Sequence, residues 1–360
     1  MNAGVPPHVA GLPVSPTQTA GPTAPVCGLA LRRWLRSNRP ALALVGLSIL
    51  IPELLTGSTP VASLLNPVGD LFLLGLYGGG VLVIREVTLR WNRGWAPVLL
   101  LGAAYGIVEE GFGTKTFFDW VEIGRPNFGP YTHWAGVNWV WAGELTLFHA
   151  IFSIALPIAL VGILFPASRG QRFLSRRNLG WTFVAYLLTV TLMFFLFDRT
   201  YVLSPPVEAG CLVAVAALVL AAWKVPIEWL RPRASFPTAS SRATLLLGAT
   251  FVWGFFLIFW GTPGLLKNPF LTVALGWFFS GVCLYVLRAV IGEAGNAPQV
   301  AYLSVGLLTF LVFDATIAEF QGDLFAFLAI AAALWLMACL YRQYGTPGGA
   351  TPAPAGVTVD

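Results

Sequence analysis

The chain has 360 residues, of which 57% are hydrophobic and only 10% are charged. An ordinary soluble domain carries roughly a quarter of charged residues, so this composition excludes a soluble globular protein and requires lipid as part of the solvent. The net charge of +5 comes from basic residues scattered over short loops between apolar runs. That pattern orients a membrane protein and excludes a nucleic-acid-binding patch.

The two ends of the chain differ from its middle. Residues 1–28 are rich in Pro, Thr, Ala and Gly, and such a segment buries too little apolar surface to order itself. A similar composition returns in residues 345–360. We therefore predict a disordered N-terminal tail (1–28), a transmembrane helical domain (29–344) and a disordered C-terminal tail (345–360), without a cleaved signal peptide.

Ten apolar runs occupy the predicted domain, separated by Pro, Gly and charged residues. Runs of about 18 to 23 residues match a hydrocarbon core of roughly 30 Å. Because lipid offers backbone amides no partners, each run is predicted to be a helix. The predicted fold is all-α, a polytopic integral membrane bundle of about ten transmembrane helices. The predicted spans are 40–57, 68–88, 96–113, 138–165, 179–197, 207–223, 244–260, 270–290, 299–320 and 324–341.

The charge distribution predicts that both termini lie in the cytoplasm. With that orientation, 17 of the 21 Lys and Arg residues fall in inner segments and 4 in outer ones, as the positive-inside rule requires. Most acids fall in the outer half, which indicates either an outward-facing working surface or avoidance of the basic side. The predicted location is the plasma membrane, as a multi-pass protein. The excess of Arg over Lys, 18 to 3, is typical of a GC-rich bacterial genome.

The third span carries two adjacent acids on a helix with a stripe of small residues. Gly102, Gly106 and Glu109 stand at i, i+4 and i+7, and Glu110 is i+4 from Gly106, so all four lie near one helix face. The glycines allow a neighbouring helix to approach closely. Two adjacent carboxylates in a low dielectric cannot readily both ionise, which makes one of them a proton carrier suited to acid–base catalysis or to proton-coupled transport.

The fourth span carries a histidine near mid-membrane. His149 shares a face with Asn138 and Ser153 at i−11 and i+4, whereas Glu144 lies about 140° away from it. At 1.5 Å per residue, His149 is roughly 16 Å along its helix, deeper than the two acids of the third span. The histidine and the acids therefore meet only if the fourth span tilts or starts further out.

Further polar residues lie in other spans. Glu53 follows Pro52 in the first span, where a bend frees backbone groups beside an acid, and Asp314 is an acid of the ninth span that could join a central cavity. We predict Glu109, Glu110 and His149 as catalytic residues. The predicted substrate- or ion-binding residues are Glu53, Asn138, Glu144, Ser153 and Asp314.

The cysteines predict neither a disulfide framework nor a zinc site. Cys27, Cys211, Cys283 and Cys339 show no Cys/His spacing. No metal ligand is therefore predicted, and the sequence identifies no cofactor. The predicted partners are the lipid bilayer and a membrane peptide or small solute, and no nucleic acid.

Two short motifs resemble those of a known family. Glu109-Glu110 on one predicted membrane helix resembles the Glu-Glu-x-x-x-Arg motif of the CAAX-type intramembrane proteases and their bacterial relatives, the CPBP group. Leu145-Thr-Leu-Phe-His149 on the next helix resembles their Phe-x-x-x-His motif, with Leu145 where that motif has Phe. Thr114 stands where the first motif has Arg, and a second histidine within the predicted spans is absent. The resemblance covers about fifty residues. It implies that Glu109 or Glu110 activates a water that cleaves a peptide within the membrane, while His149 orients or polarises.

Three functions fit these patterns. The first is a CPBP-like intramembrane peptidase that uses Glu109, Glu110 and His149. The second is a proton- or cation-coupled carrier of small solutes, with an outward-facing cavity lined by Glu53, Glu109, Glu110 and Asp314. The third is a non-catalytic membrane scaffold in which the acids are structural partners of Lys115 or of Arg side chains. Convergence of the three predicted catalytic side chains favours the first two functions, and divergence favours the third.

Overall fold

The computed structural model describes residues 37–119, 132–197, 201–226, 229, 239–263, 265–266, 268–291, 297–323 and 325–345. The chain divides into two compact units. Of the first unit, residues 1–39, the structure describes 37–39. The second unit, residues 40–360, contains the helical bundle and the candidate site. Apart from Gly345, the predicted tails lie outside the described residues.

The bundle is built from α-helices, several of which contain a π-helical segment with wider turns. The α-helices are α1 (Arg39–Ile49), α2 (Pro67–Leu73), α3 (Gly79–Trp91), α4 (Trp95–Ile107), α5 (Trp139–Phe148), α6 (Leu156–Leu164), α7 (Arg176–Leu196), α8 (Pro205–Lys224), α9 (Ser241–Phe256), α10 (Pro269–Val290), α11 (Ala297–Phe320) and α12 (Ala326–Tyr344). The π-helical segments are π1 (Leu50–Leu54), π2 (Leu74–Gly78), π3 (Val108–Gly113), π4 (His149–Ala155) and π5 (Leu257–Gly261).

The helical backbone confirms the predicted all-α membrane fold. Each predicted apolar run coincides with helical backbone whose ends lie within a few residues of the predicted ends. Among the described residues, eight helices are long and apolar enough to cross a bilayer. Residues 39–54 and 95–113 are helical but fall outside that set. The number of ten spans and the orientation of the termini therefore stay predictions.

The loop before α5 forms a small hairpin. Strand β1 (His133–Trp134) pairs antiparallel with β2 (Val137–Asn138). Both turn residues adopt positive φ, Ala135 at 52° and Gly136 at 77°, as a type I′ turn requires. The Asn138 side chain then accepts a hydrogen bond from the Trp141 amide at 3.1 Å and caps α5, so the predicted ligand residue Asn138 acts as a helix cap.

Helices α9 and α11 pack backbone against backbone. A Cβ atom on Gly248 would overlap the carbonyl oxygen of Leu303, and one on Gly306 would overlap that of Leu245. Lipid provides no hydrophobic force between helices, so close packing through small residues is a main source of association. These two glycines therefore set the separation of α9 and α11.

We expect Gly248→Ala to lower the stability of the protein by about 1–3 kcal/mol, because the added methyl group overpacks the contact and pushes the two helices apart. The midpoint of thermal unfolding in detergent micelles measures the effect. Gly281→Ala in α10 is the matched control, because a Cβ atom there meets no atom within 4 Å. An unchanged midpoint for Gly248→Ala would contradict the proposed role of this glycine.

A buried ion-pair network fastens a loop to the end of α3. Glu86 is 0% exposed and lies 3.1 Å from Arg85 Nη1 and 2.5 Å from Arg90 Nη1. It also accepts a hydrogen bond from the Phe173 amide at 2.7 Å. The arginines donate in turn to the carbonyls of Gln171, at 3.0 Å, and of Leu174, at 2.8 Å. Arg85 and Glu86 therefore pair with each other and hold the segment that joins α6 to α7.

Candidate functional site

The candidate site is built from four π-helical segments. Glu53 lies in π1, Tyr77 in π2, Glu109 and Glu110 in π3, and His149 at the start of π4. A π-helical turn is a rare distortion of an α-helix that occurs frequently at functional sites. Each of the segments π1 to π4 contains a polar side chain of the same hydrogen-bonded cluster, whereas π5 contributes none.

Two glycines of α4 set the distance between the helix that carries the acids and the helix that carries the histidine. A Cβ atom on Gly102 would lie 2.8 Å from a Cα atom of π4, and one on Gly106 would lie 3.0 Å from the Cβ atom of His149. The absent side chains let π4 pack directly against α4. Because Glu109 and Glu110 follow Gly106 by three and four residues, they lie on the side of their helix that makes this contact.

The imidazole of His149 lies between two carboxylates. Its Nε2 atom is 3.0 Å from Glu110 Oε1, and its Nδ1 atom is 3.2 Å from Glu109 Oε2. Nδ1 also makes a hydrogen bond of 2.9 Å with Ser153 Oγ. All four residues are buried: His149 and Glu109 are 2% exposed, Glu110 is 8% exposed and Ser153 is 0% exposed. The structure thus brings together the three side chains that the sequence predicts as catalytic.

Tyr77 connects Glu109 to Glu53. Its hydroxyl group lies within hydrogen-bonding distance of one carboxylate oxygen of each acid, and the other oxygen of Glu53 accepts a hydrogen bond from the Thr59 hydroxyl. A phenol donates a single hydrogen. The hydroxyl therefore donates to one of the two acids at a time, and both contacts can be hydrogen bonds together only when one of the acids carries a proton.

Two threonine hydroxyls orient Glu110. Thr114 Oγ1 donates to Glu110 Oε2 at 2.9 Å, and Thr116 donates to the same oxygen. The indole Nε1 of Trp141 donates in turn to Thr116 Oγ1 at 3.0 Å. Glu110 Oε1 is therefore the oxygen that faces His149, while Oε2 is held by the loop that follows π3.

The cluster contains more carboxylates than positive groups. Among the described residues, the ion pairs of Glu109 and Glu110 both involve His149, and Glu53 joins them through Tyr77. A protonated imidazole balances one of the three negative charges. An uncompensated charge in a low-dielectric interior is costly, so additional protons or a bound cation would stabilise the cluster formed by the described residues.

Three of the predicted binding residues contribute no hydrogen bond or ion pair to Glu109, Glu110 or His149 within the described part of the chain. Asn138 caps α5. Glu144 is buried and accepts a hydrogen bond of 2.7 Å from Trp260 Nε1. Asp314 lies half-buried in α11. The other two predicted binding residues, Glu53 and Ser153, belong to the cluster.

Sequence reasoning missed four residues of the cluster. Thr114 and Thr116 bind Glu110, Tyr77 links two acids, and Tyr105 packs edge-on against His149 with ring centroids 5.8 Å apart. Tyr77 immediately precedes three glycines. A tyrosine hydroxyl next to glycines, which let helices pack closely, is the sequence feature that could have identified Tyr77 as a site residue.

The same three predicted catalytic residues could hold a metal ion. Glu109, Glu110 and His149 are all buried, and one ligand atom from each lies within 4.8 Å of the others. No metal ligand was predicted from the sequence, because Glu110 and His149 are 39 residues apart and the chain shows no dense cluster of ligand residues.

Comparison with known proteins gives a family without an assigned activity. Residues 42–342 match the model of a family described as an uncharacterized membrane protein family. Neither the comparison with curated proteins nor the comparison with solved structures found a match. The matched range includes every residue of the cluster and all the described helices except the ends of the first and the last.

Proposed function

We propose that this chain, which belongs to the uncharacterized membrane protein family described above, is an intramembrane hydrolase that cleaves an amide bond of a membrane-embedded peptide. One observation carries the proposal: His149 lies within 3.2 Å of Glu109 and 3.0 Å of Glu110 in the interior of the bundle. A buried imidazole between two carboxylates is a costly arrangement in a membrane protein and is a functional-site candidate for that reason.

The proposed general base is Glu110. Its side chain is 11% exposed, against 3% for those of Glu109 and His149, so it is the member of the triad that water reaches most easily. Thr114 and Thr116 hold its second oxygen in place. A base fixed within hydrogen-bonding reach of an attacking water is what this chemistry requires.

Glu109 and Ser153 are proposed to orient His149. Both face its Nδ1 atom, at 3.2 Å and 2.9 Å, and leave Nε2 directed towards Glu110. The Tyr77 hydroxyl fixes the other oxygen of Glu109. Glu109, Ser153 and Tyr77 thus act as positioning residues.

The reaction is a hydrolysis that needs water alone as co-substrate. Glu110 accepts a proton from the water, and the resulting hydroxide attacks the carbonyl carbon of the peptide while His149 holds Glu110 in place through Nε2. The C–N bond then breaks as Glu110 returns the proton to the departing amine. The direct products are a carboxylic acid and an amine, which exchange one proton to give a carboxylate and an ammonium group, and Glu110 regains its starting protonation state.

The proposal is also supported by the resemblance to the CPBP group, which rests on Glu109, Glu110 and His149. The scaffold alternative predicted that Lys115 or Arg side chains would pair with the two acids. Within the described residues, the ion partner of both acids is His149, which favours a site over a structural ion pair.

A proton-coupled carrier is the second candidate, and one observation favours it. Hydrogen-bonding contacts run from Thr59, which is half-buried, through Glu53, Tyr77 and Glu109 to His149. Protons can move along such a chain. Solute uptake into proteoliposomes that follows a pH gradient and is lost in Tyr77→Phe would replace the hydrolase proposal.

The cleavage test uses the full-length protein in liposomes with a library of labelled transmembrane peptides. We expect peptide fragments whose new carboxyl group contains oxygen from ¹⁸O-labelled water, as mass spectrometry detects. The variant His149→Gln should lose this activity. His133→Gln is the matched control, because His133 contacts the Phe118 carbonyl at 2.9 Å and lies outside the triad.

Two results would contradict the hydrolase. One is the absence of fragments from every peptide of the library with the unmodified protein. The other is equal cleavage by the unmodified protein and by His149→Gln, provided that both proteins show the same helical circular dichroism.

A further inference from the structure

We propose that Glu109, Glu110 and His149 form a binding site for one divalent transition-metal ion. The inference deepens the proposed function, on which it rests for the use of the ion, because it supplies the hydrolase with a water-activating centre. The binding of the ion itself follows from three independent features of the cluster, namely the protons available to His149, the distances between the ligand atoms and the hydroxyl groups around them.

The first feature is that a neutral His149 cannot satisfy both carboxylates. A neutral imidazole has one N–H group and one lone pair. If Nε2 carries the hydrogen, Glu110 receives a hydrogen bond, the lone pair of Nδ1 accepts one from Ser153 Oγ, and Glu109 Oε2, 3.2 Å from Nδ1, receives none. If Nδ1 carries the hydrogen, the lone pair of Nε2 faces Glu110 Oε1 at 3.0 Å.

One oxygen of the pair is indeed without a hydrogen bond. Glu109 Oε2 is buried and makes none within the described residues, while Nδ1 is hydrogen-bonded to Ser153 Oγ. Glu109 is 2% exposed, and a buried carboxylate oxygen left in this state is destabilising. A cation bound between the imidazole lone pair and the two carboxylates removes this mismatch.

The second feature is the spacing of the ligand atoms. One atom each from Glu109, Glu110 and His149 lies within 4.8 Å of the others. Metal–ligand distances of about 2.0–2.2 Å for imidazole nitrogen and carboxylate oxygen bring such a set around one ion after small side-chain movements. Three protein ligands also leave a coordination position for water, as in catalytic zinc sites.

The third feature is the set of groups that orient the ligands. Tyr77 donates to Glu109, Thr114 and Thr116 donate to Glu110, and Ser153 contacts the ring of His149. Metal-binding carboxylates and histidines are typically held in this way by a surrounding layer of hydrogen bonds. Every ligand of the proposed site has such a partner.

The ligand chemistry selects the class of ion. One imidazole and two carboxylates suit Zn²⁺, Mn²⁺ or Fe²⁺, whereas Ca²⁺ and Mg²⁺ prefer oxygen ligands alone. An ion of this class lowers the pKa of a bound water towards 7.

Metal binding is tested on the full-length protein in lipid nanodiscs, after removal of metals with a chelator. The protein is dialysed against ZnCl₂ or MnCl₂, and the bound ion is quantified by mass spectrometry. We expect about one ion per chain and an affinity at least 10-fold lower in Glu109→Gln and His149→Gln. The matched controls are Glu319→Gln, an acid of α11 that binds the Phe327 amide, and His133→Gln.

Thermal unfolding provides a second readout that does not depend on a variant. An ion that binds the folded state alone raises the unfolding midpoint of the unmodified protein. The inference is overturned if neither Zn²⁺ nor Mn²⁺ raises the midpoint, or if Glu109→Gln and His149→Gln retain the ion with unchanged affinity.

The metal inference and the hydrolase proposal fail in different ways. Failure of both Zn²⁺ and Mn²⁺ to bind, with cleavage that persists, overturns the metal site and leaves the hydrolase standing, whereas cleavage by metal-free protein that does bind the ion overturns only the use of the ion in the reaction. A bound ion that depends on Glu109 and His149, together with the absence of cleavage, supports the metal site and overturns the hydrolase.

Discussion

Replacing Glu110 with Gln is expected to lower the rate of peptide cleavage by about 10²–10⁴-fold, the usual contribution of a general base. Glutamine has nearly the same shape as glutamate and still accepts hydrogen bonds from Thr114 and Thr116 through its amide oxygen. It cannot take a proton from water. The loss should therefore appear in kcat, with little change in KM, because peptide binding does not require the base.

Two further variants sharpen this test. Glu110→Asp keeps the carboxylate but shortens the side chain, so it should retain more activity than Glu110→Gln while losing the 3.0 Å contact to His149. Glu319→Gln makes the same chemical change in α11, away from the triad, and should leave cleavage unchanged. Equal activity of Glu110→Gln and the unmodified protein would assign the base to another residue.

Replacing Glu86 with Gln is expected to lower the free energy of unfolding by about 3–5 kcal/mol, the usual cost of breaking a buried ion pair by removing one partner. Glu86 is 0% exposed and Arg85 is 6% exposed, so the variant leaves a positive charge in the interior without its carboxylate. The Phe173 amide also loses a charged acceptor. The midpoint of chemical unfolding in mixed micelles measures the loss.

The matched control for Glu86 is Glu208→Gln. Glu208 lies half-buried in the first turn of α8, and removal of its charge should change the free energy of unfolding by about 1 kcal/mol or less. Similar effects of the two substitutions would show that the network at the end of α3 contributes little to stability. A large loss for Glu86→Gln alone would show that it anchors the segment between α6 and α7.

The secondary structure of this protein follows from local features of the sequence. Long apolar segments in lipid fold as helices, because a helix makes the backbone hydrogen bonds of the segment within the segment itself. Pro and Gly mark the breaks between them, so the predicted ends lie close to those observed. The stripe of Gly102 and Gly106 also indicated correctly where another helix packs.

The π-helical segments were beyond sequence reasoning. A π-helical turn costs more than an α-helical one and forms where packing and side-chain contacts compensate for it. Those contacts for Glu53, Tyr77, Glu109 and His149 come from other helices. A periodicity of 3.6 residues therefore placed His149 deeper than the two acids, although the folded bundle puts them in contact.

Helix packing also decided the roles of Glu53 and Glu144. Glu144 and Glu53 are both acids in apolar spans and look alike in the sequence. In the fold, Glu144 meets the indole of Trp260, whereas Glu53 meets the tyrosine that also binds Glu109. Which helix packs beside an acid determines whether it belongs to the site.

The sequence by itself determined that this protein lies in a lipid bilayer, where its helices fall and which few side chains can do chemistry. These properties depend on hydrophobicity and on residue type. The tertiary structure alone decided that Glu109, Glu110 and His149 meet, and that Tyr77, Thr114 and Thr116 hold them. These contacts join residues that are far apart in the chain. They exist because helices pack through glycines into one arrangement, and no local pattern records that arrangement.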